Sequence, residues 1–251
     1  MHHQNYSQPL ISAESEIWHS GIYVKMHSHS EHQLIYSLRG SIEIRTRNGC
    51  WILPPSRAIW ISKGVEHEFT TRFPTELRVL HIAESVNISN VSHECYIFNV
   101  TPLLKEIVNS CTRFPPKFAD NSSEARLCYV LFDQLETVEQ PPLNIPCPEH
   151  VVLSKIWSIF QDDPATKIGF SQLASIVSMS ERALERLFLK EVDMTFNAWR
   201  QRFRLIRSIE YLAEDVPITR LSYDVGYEYP SSYITAFKKF FGCIPAQYFL
   251  K

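Results

Sequence analysis

The last eighty-odd residues of the chain contain one pattern twice: a short apolar helix, a turn, and a second helix with a polar exposed face. In the first copy the two helices are predicted at residues 169–177 and 181–191, and in the second at 218–225 and 230–241. Each copy has the outline of a helix-turn-helix, a unit that lays its second helix in the DNA major groove. One such unit is a weak indication, because any two amphipathic helices joined by a tight turn resemble it. Two copies with similar spacing predict a DNA-binding domain.

A long amphipathic helix is predicted between the two copies. Its apolar residues recur at steps of three and four and are Phe196, Trp199, Phe203, Ile206, Ile209 and Leu212. A rigid helix of this kind would hold the two reading helices about one turn of DNA, or ~34 Å, apart. A single chain would then read an asymmetric site.

Length and composition allow two soluble domains, since 251 residues with 45% hydrophobic and 21% charged side chains are typical of globular proteins. Residues 1–150 contain 12 Lys and Arg against 16 Asp and Glu, whereas residues 151–251 contain 13 against 11. A local basic surface for phosphates is therefore predicted in the second half, with a solvated charged face as the alternative. Its residues are Arg200, Arg202, Arg204, Arg207, Lys238 and Lys239.

Targeting and cysteine patterns both favour a cytoplasmic protein. No apolar run is long enough to span a bilayer, and Met1–Asn5 lacks the layout of a signal peptide. The six cysteines are scattered without a CxxC pair, which predicts reduced structural thiols rather than disulfides or a zinc site.

The first half of the chain predicts β-structure followed by helices. Residues 17–82 alternate with period two and are broken by glycines and prolines, which indicates a small antiparallel barrel. Helical spacing follows at 103–108 and at 123–139, where Ser123 is a candidate N-cap. The second of these helices either packs on its own barrel or forms a dimer contact. Residues 141–149 are proline-rich and predict an extended linker without regular structure.

A histidine pattern in the predicted barrel carries a specific resemblance. Gly21, His27-Ser28-His29, Gln33 and Gly40 are followed by residues 62–67, which end in His67. This arrangement resembles the paired motifs of the cupin superfamily, in which two histidines and a glutamate on one strand meet a third histidine inside a barrel. Gln33 stands where that family usually has glutamate, Ser62 replaces the usual proline, and Thr71 replaces the usual asparagine.

Two interpretations of these histidines remain open. His27 and His29 are two residues apart, so they share one face of a strand, and Gln33 shares it if the strand is unbroken. Together with His67 they form a possible site for a divalent transition metal, which the neutral amide of Gln33 would weaken. The preferred interpretation is a pocket whose polar lining hydrogen-bonds the carbonyl or carboxylate groups of a small molecule.

The segment 50–62 adds two tryptophans and an arginine to the candidate pocket. Trp51, Trp60 and Arg57 would suit a planar or anionic effector. The alternative is that these residues pack the barrel core, with Arg57 at its rim. No cofactor is certain on these grounds, and a divalent transition metal is a possible one.

The C-terminal hundred residues resemble the AraC family of transcription regulators. The resemblance rests on residues 180–188, 199–205, 226–233 and 237–248, the last of which includes Phe-Lys-Lys-Phe-Phe-Gly and Ile-Pro-Ala-Gln-Tyr. It extends into the first half through the cupin-like motifs and the Trp-Ile-Leu-Pro-Pro stretch at 51–55. The resemblance implies a sensor domain that regulates a DNA reader with two heads.

In the first helix-turn-helix, the predicted reading face consists of Arg182, Glu185 and Arg186, opposite a core face that contains Leu184 and Phe188. Arginine can take guanine by two hydrogen bonds and glutamate can accept one from cytosine, each discriminating by ~1–3 kcal/mol. The resemblance places these three residues at positions that the family uses for base contacts. The alternative is a salt-bridge ladder along the helix.

The second helix-turn-helix is predicted to discriminate sequences more weakly. Its exposed hydroxyl groups are short and reach phosphate or water more readily than two base atoms. Its two lysines suit backbone contact as point charges. Ser180 and Ser231 could equally be ordinary N-terminal residues of helices. The further DNA-contact candidates are Ser180, Ser231, Ser232, Thr235, Lys238, Lys239 and Arg204.

The fold predicted from the sequence is α+β with two domains. Residues 1–140 form a cupin-like antiparallel barrel with flanking helices, which senses an effector and possibly dimerises. Residues 150–251 form an all-α domain whose two helix-turn-helix units lie at about 170–191 and 218–241. The residues 141–149 link the two domains.

The leading functional hypothesis is a transcription regulator, not an enzyme, whose cupin-like domain senses a small molecule and modulates promoter binding. Its partners would be double-stranded DNA, the effector, RNA polymerase if it activates, and possibly a second copy, with no membrane. One alternative is a metal-dependent cupin enzyme with an accessory helical domain. The other is a constitutive architectural DNA binder with a vestigial barrel.

Overall fold

The computed structural model describes residues 10–47, 49–86, 88, 95–138, 144–148 and 150–249. Within these ranges the chain forms two compact units. The first unit takes the described residues up to Ile44 and those from Leu53 to 138. The second takes Arg45–Ile52 and the described residues from Asn144 onward.

Ten strands and eight helices are described. The strands are β1 (Ile11–Trp18), β2 (Tyr23–His27), β3 (His32–Arg39), β4 (Ile42–Thr46), β5 (Gly49–Leu53), β6 (Arg57–Ile61), β7 (His67–Thr71), β8 (Thr75–Ile82), β9 (Cys95–Asn99) and β10 (Asn144–Ile145). The helices are α1 (Pro102–Cys111), α2 (Ser123–Leu135), α3 (Val151–Asp162), α4 (Phe170–Ile176), α5 (Glu181–Val192), α6 (Phe196–Ala213), α7 (Ile218–Asp224) and α8 (Pro230–Phe241). A 3₁₀ turn follows at Pro245–Gln247.

The first unit is the predicted antiparallel β-domain. One sheet has the strand order β1-β8-β3-β6-β9 with antiparallel pairing throughout. A second pairing joins β2 to β7, with Val24 opposite Phe69 and His27 opposite His67. The pairing of β3 with β8 sets Gln33 opposite His81. These registers bring strands that are distant in the sequence to one histidine site.

Helix α2 packs on its own unit. Ala125, Cys128, Leu131 and Leu135 are buried on one face and join the same apolar core as Trp60 of the sheet. This confirms that α2 packs on its own domain, while the dimer contact stays a prediction. The N-cap differs from the expectation: the Oγ of Ser122 accepts a hydrogen bond from the Ala125 amide, and Ser123 is the first helical residue.

The second unit contains both predicted helix-turn-helix pairs. Helices α4 and α5 form the first, with Ser178 in the left-handed region (φ 56°) at the turn and Ser180 as the N-cap of α5. Helices α7 and α8 form the second, with Gly226 at φ 86° in the turn. The helix α6 spans the predicted spacer. The four helices of the two helix-turn-helix pairs begin and end within two residues of their predicted positions.

Part of the predicted linker is regular structure, so that prediction was wrong there. Asn144 and Ile145 form β10, which pairs antiparallel with Trp51 and Cys50. The side chain of Ile145 is completely buried and belongs to the core of the second unit. Prolines are tolerated next to an edge strand such as β10. The burial of one apolar side chain then stabilises the pairing. Residues 139–143 and 149 lie outside the described residues.

Two further expectations concern membranes and thiols. In the part of the chain that the structure describes, no helix is long and apolar enough to cross a membrane. The six cysteines are free thiols; five are buried and Cys147 is half-buried, as the scattered pattern predicted.

Candidate functional site

Three histidines of the first unit converge on one point. His27 is the last residue of β2, His29 lies in the loop between β2 and β3, and His67 begins β7. One ring nitrogen from each lies within 4.8 Å of the others. The expectation of one unbroken strand was wrong, because β2 ends at His27 and Gln33 lies on the separate strand β3. We call His27, His29 and His67 the three-histidine cluster.

Backbone carbonyls orient two of these rings. The Nδ1 of His27 lies 2.7 Å from the Lys25 carbonyl oxygen, and the Nδ1 of His67 lies 2.8 Å from that of Val65. A carbonyl can only accept, so each of these two Nδ1 atoms donates a proton, and in a neutral ring the Nε2 is then the atom with the lone pair. Among the described residues, the Nε2 atoms of His29 and His67 and the Oε1 of Gln33 are buried without a hydrogen-bond partner. The Nε2 of His67 and the Oε1 of Gln33 are therefore unsatisfied acceptors.

Burial favours the neutral form of two of the three imidazoles. Desolvation lowers the pKa of His67 to about 4, although its bond to the Val65 carbonyl opposes the shift. Desolvation also lowers the pKa of His29, with the neighbouring His27 and His81 acting in the same direction. Neutral imidazoles are the form that binds metals and accepts hydrogen bonds.

A cavity of about 180 Å³ lies beside the cluster. Its volume is similar to that of an engineered cavity that holds one benzene molecule. His81, which the sequence analysis did not identify, lines this cavity, and its Nε2 lies 3.6 Å from the Glu14 carboxylate. The lining residues are Glu14, Glu16, Trp18, Val24, His27, His29, Gln33, Ile35, Phe69, Leu77, Val79 and His81. The charged side chains among them are acidic.

The other predicted pocket residues lie elsewhere. Trp60 is buried in the core of the first unit, where it stacks on His32 and donates to the Ser62 hydroxyl. Trp51 belongs to the strand segment of the second unit. Neither these residues nor Arg57, the first residue of β6, line the cavity. The alternative of core packing is correct for Trp60. Because Arg57 does not line the cavity, it gives no support to an anionic effector there.

The donor set fits a divalent transition metal. Three neutral imidazoles are typical ligands of zinc, nickel, copper and iron, and bonds from the second ring nitrogen to backbone carbonyls are typical of the outer shell of such sites. His27 and His67 have such bonds. The amide oxygen of Gln33 is a neutral fourth group that also lacks a partner.

The face of α5 that carries the predicted reading residues is exposed. Ser180, Arg182, Glu185 and Arg186 are exposed, while Leu184 and Phe188 on the opposite face are buried. The Ser180 hydroxyl accepts a hydrogen bond from the Ala183 amide, so it caps the helix as the alternative held. Arg182, Glu185 and Arg186 form no salt-bridge ladder within the described residues. Their charged groups face solvent.

Helix α8 exposes a second polar face. Ser231, Ser232, Thr235, Lys238 and Lys239 are all exposed, and Tyr233 and Phe237 are buried on the opposite side. The Thr235 hydroxyl donates to the Ser231 carbonyl oxygen at 2.9 Å within the same helix. The lysines lie in the last turn, where a cation is also favourable for the helix dipole.

Three of the four arginines of α6 bind groups inside the unit, which corrects most of the predicted phosphate surface. The guanidinium of Arg204 donates to three backbone carbonyl oxygens. Arg202 donates to the carbonyl and side-chain oxygens of Asn144, and Arg207 pairs with Glu210 in the core. Arg200 donates to Asn197 one turn away. Arg204 was thus wrongly assigned to DNA contact, because periodicity could not distinguish a half-buried arginine from an exposed one.

Comparisons with known proteins identify the two kinds of domain in this chain. A family model described as an AraC-like ligand binding domain matches residues 16–86, and one described as a helix-turn-helix domain matches 173–251. The HTH-type transcriptional regulator NimR of Escherichia coli is 30% identical over 223 residues, which cover 89% of this chain and 81% of NimR. The probable transcriptional regulator LumQ of Photobacterium leiognathi is 21% identical over 236 residues, covering 88% of this chain and 90% of LumQ. A crystal structure of ToxT from Vibrio cholerae is 14% identical with a TM-score of 0.41, covering 96% of this chain and 97% of that one. With its ligand-binding and helix-turn-helix domains in this order, the chain belongs to the AraC family of transcription regulators.

Proposed function

We propose that the effector of this regulator binds in the cavity beside the three-histidine cluster. The observation that carries the proposal is the convergence of three imidazoles. In two of them, His29 and His67, the Nε2 is buried and has no partner among the described residues. An unsatisfied buried polar atom costs about 1–3 kcal/mol, so a ligand that pairs with these atoms would recover that energy. Binding of a ligand to the native state alone would also stabilise the first unit.

The chemistry of the lining defines the class of effector. The Nε2 of His67 and the Oε1 of Gln33 are acceptors that lack a partner among the described residues, and the carboxyl groups of Glu14 and Glu16 line the cavity. Burial raises the pKa of Glu16. A carboxylate would meet acceptors and like charges, whereas a hydrogen-bond donor or a cation would be complementary. We therefore favour a small cationic or donor-rich effector over the anionic one that the sequence suggested.

A transition-metal ion is one effector of this class. His27, His29 and His67 would hold it, and Gln33 lines the neighbouring cavity together with His27 and His29. A bound ion would supply positive charge and a Lewis acid to the cavity. We propose a sensing role for the site rather than turnover of a substrate, and we expect no enzymatic activity. A screen for metal-dependent oxygenase and isomerase turnover would overturn this expectation if it found a catalytic rate.

For the DNA surface, we propose that α5 reads bases and that α8 contacts mainly the backbone. Arg182, Glu185 and Arg186 offer bidentate and acceptor groups, whereas α8 offers short hydroxyls and two lysines. The remaining DNA-contact candidates are Ser180, Ser231, Ser232, Thr235, Lys238 and Lys239. Contact with RNA polymerase, a homodimer and a cytoplasmic location remain predictions.

Replacing Arg186 with alanine is expected to lower specific binding by about 1–3 kcal/mol and to relax the preference at one base position, because its guanidinium can bind guanine through two hydrogen bonds. The measurement is binding-site selection from random DNA by the full chain and the variant. Lys239→Ala is the matched control: it should weaken all sequences alike and reduce the salt slope by about one. An unchanged base preference in Arg186→Ala would falsify the assignment of this residue to base reading.

Replacing His29 with alanine is expected to remove ligand-induced stabilisation of the first unit. The probes are Ni²⁺ and, as an organic cation, benzylammonium, each titrated into the full chain during thermal unfolding. At a hundred times its dissociation constant, a probe stabilises the native state by about 2.7 kcal/mol, and this gain should disappear in His29→Ala.

His19→Ala is the matched control, because His19 is exposed and does not line the cavity. It should respond to the probes as the unmodified chain does. Equal stabilisation of His29→Ala and the unmodified chain would exclude the cluster as the binding site. No stabilisation of the unmodified chain by either probe would exclude the proposed class of effector.

A further inference from the structure

Arg204 joins the segment that leads into the first helix-turn-helix pair to the turn of the second pair. Its Nε donates to the Pro164 carbonyl oxygen at 3.0 Å and its Nη2 to that of Thr166 at 2.9 Å. Its Nη1 donates to the carbonyl oxygen of Gly226 at 2.9 Å. Pro164 and Thr166 precede α4, and Gly226 lies in the turn between α7 and α8. One side chain on α6 thus binds both the segment before the first helix-turn-helix and the turn of the second.

Gly226 fits this arrangement closely. Its φ of 86° is in the left-handed region that glycine adopts without strain. A Cβ at this position would come within 2.6 Å of the Arg204 Cζ and within 2.9 Å of the Ala165 Cα. The turn of the second helix-turn-helix is therefore packed directly against the segment that leads into the first helix-turn-helix.

A guanidinium is well suited to this task. Its planar fork donates in several fixed directions, and charged donors make stronger hydrogen bonds than neutral ones. An ammonium group keeps the charge but lacks the fork, so lysine at this position could not satisfy three carbonyl oxygens on two segments in the same geometry. The arrangement depends on arginine geometry and not on charge alone.

We infer that Arg204 and Gly226 form a clamp that fixes the orientation of α8 relative to α5, and so determines the base-pair spacing between the two parts of the DNA site. The inference rests on the proposed reading of DNA by α5 and α8. The helix α6 alone would fix their separation, whereas the clamp restrains rotation and tilt of the α7–α8 pair about the end of α6. Arg204 is then a positioning residue that does not touch DNA.

The test uses the full chain and a site that it enriches from random DNA. Operators with one base pair inserted or deleted between the two parts of that site rotate one part by roughly 35° relative to the other. The unmodified chain should bind them at least about tenfold more weakly, similar to the penalty for a mismatched base pair. Arg204→Lys should reduce this spacing penalty to about threefold or less while keeping the base preference of the α5 part.

Two further variants test whether the clamp itself sets the spacing preference. Gly226→Ala should relax this preference in the same way, because its Cβ displaces the guanidinium. Arg200→Lys is the matched control on the same helix, since Arg200 donates to Asn197 within α6, and it should keep the full spacing penalty. Circular dichroism and hydrogen exchange of α6 confirm that the compared variants are folded.

Several outcomes would overturn the inference. A spacing penalty in Arg204→Lys equal to that of the unmodified chain would show that the clamp does not set spacing. Arg204→Ala could instead lose affinity equally for all sequences, with a salt slope lower by about one and an unchanged spacing penalty. That result would make Arg204 a phosphate contact. If the unmodified chain enriched no two-part site, the proposed DNA reading would fail, and the clamp would fail with it.

Discussion

Replacing Arg207 with alanine is expected to lower the free energy of unfolding of the second unit by about 3–5 kcal/mol. The side chains of Arg207 and Glu210 are 0% and 1% exposed, and the Arg207 Nη1 lies 3.1 Å from the Glu210 Oε2. The Nη2 of Arg207 also donates to the Gln161 side chain on α3. Removing the arginine leaves the Glu210 carboxylate buried without its counter-charge, which is far more costly than losing the contact alone.

The measurement is urea unfolding of the full chain, followed by hydrogen exchange of peptides from α6, which reports on the second unit. Arg200→Ala should change the free energy of unfolding by about 0.5 kcal/mol or less, as is usual at the surface. The double variant Arg207→Met with Glu210→Met should recover most of the loss, because it removes both buried charges together. A loss below about 1 kcal/mol in Arg207→Ala would contradict the account of a buried pair.

Replacing Ile145 with alanine is expected to lower the free energy of unfolding of the second unit by about 2–5 kcal/mol. Ile145 lies in β10, opposite Cys50, and its side chain is 0% exposed in a core shared with Trp157 and Trp199. The truncation removes apolar contact and leaves a cavity that β10 and α6 can fill only in part.

The same hydrogen-exchange measurement on α6 tests this prediction. Val151→Ala is the control, because Val151 lies six residues further along the chain and is 68% exposed. We expect Val151→Ala to change the stability by about 0.5 kcal/mol or less. If Ile145→Ala were equally mild, residues 144–145 would behave as the free linker that the prolines predicted.

The helix-turn-helix units could be predicted from sequence because their determinants are local. Apolar spacing, the N-cap Ser180, Pro230 at the start of α8 and Gly242 at its end all lie within the elements that they define. Helix α3 could have been found in the same way, since Leu153, Ile156, Trp157 and Phe160 follow helical spacing, but this signal was missed.

Features that depend on long-range pairing were not predictable. The strand β10 exists because Asn144 and Ile145 meet Trp51 and Cys50, almost a hundred residues earlier. The basic character of α6 predicted phosphate contacts, whereas Arg204 reaches carbonyl groups 22 and 40 residues away. No local pattern indicates the partner of a long side chain.

The histidine site was predicted in part. The cupin-like spacing identified His27, His29, Gln33 and His67; the structure brings the three histidines together, and Gln33 lines the cavity with His27 and His29. His81 and the Glu14 carboxylate escaped notice because only the pairing of β8 with β3 and β1 places them there. The segment 50–62 was assigned to the pocket by its composition, but strand direction turns Trp60 into the core.

The central claim, that this chain reads a defined DNA sequence with α5 and α8, is tested most directly by selecting bound sequences from random DNA with the unmodified full chain. The account predicts one enriched asymmetric site whose two parts lie about one helical turn, or roughly 10 base pairs, apart, with the sharper preference in the part read by α5. Binding without any enriched sequence, or with a single short element, would contradict it.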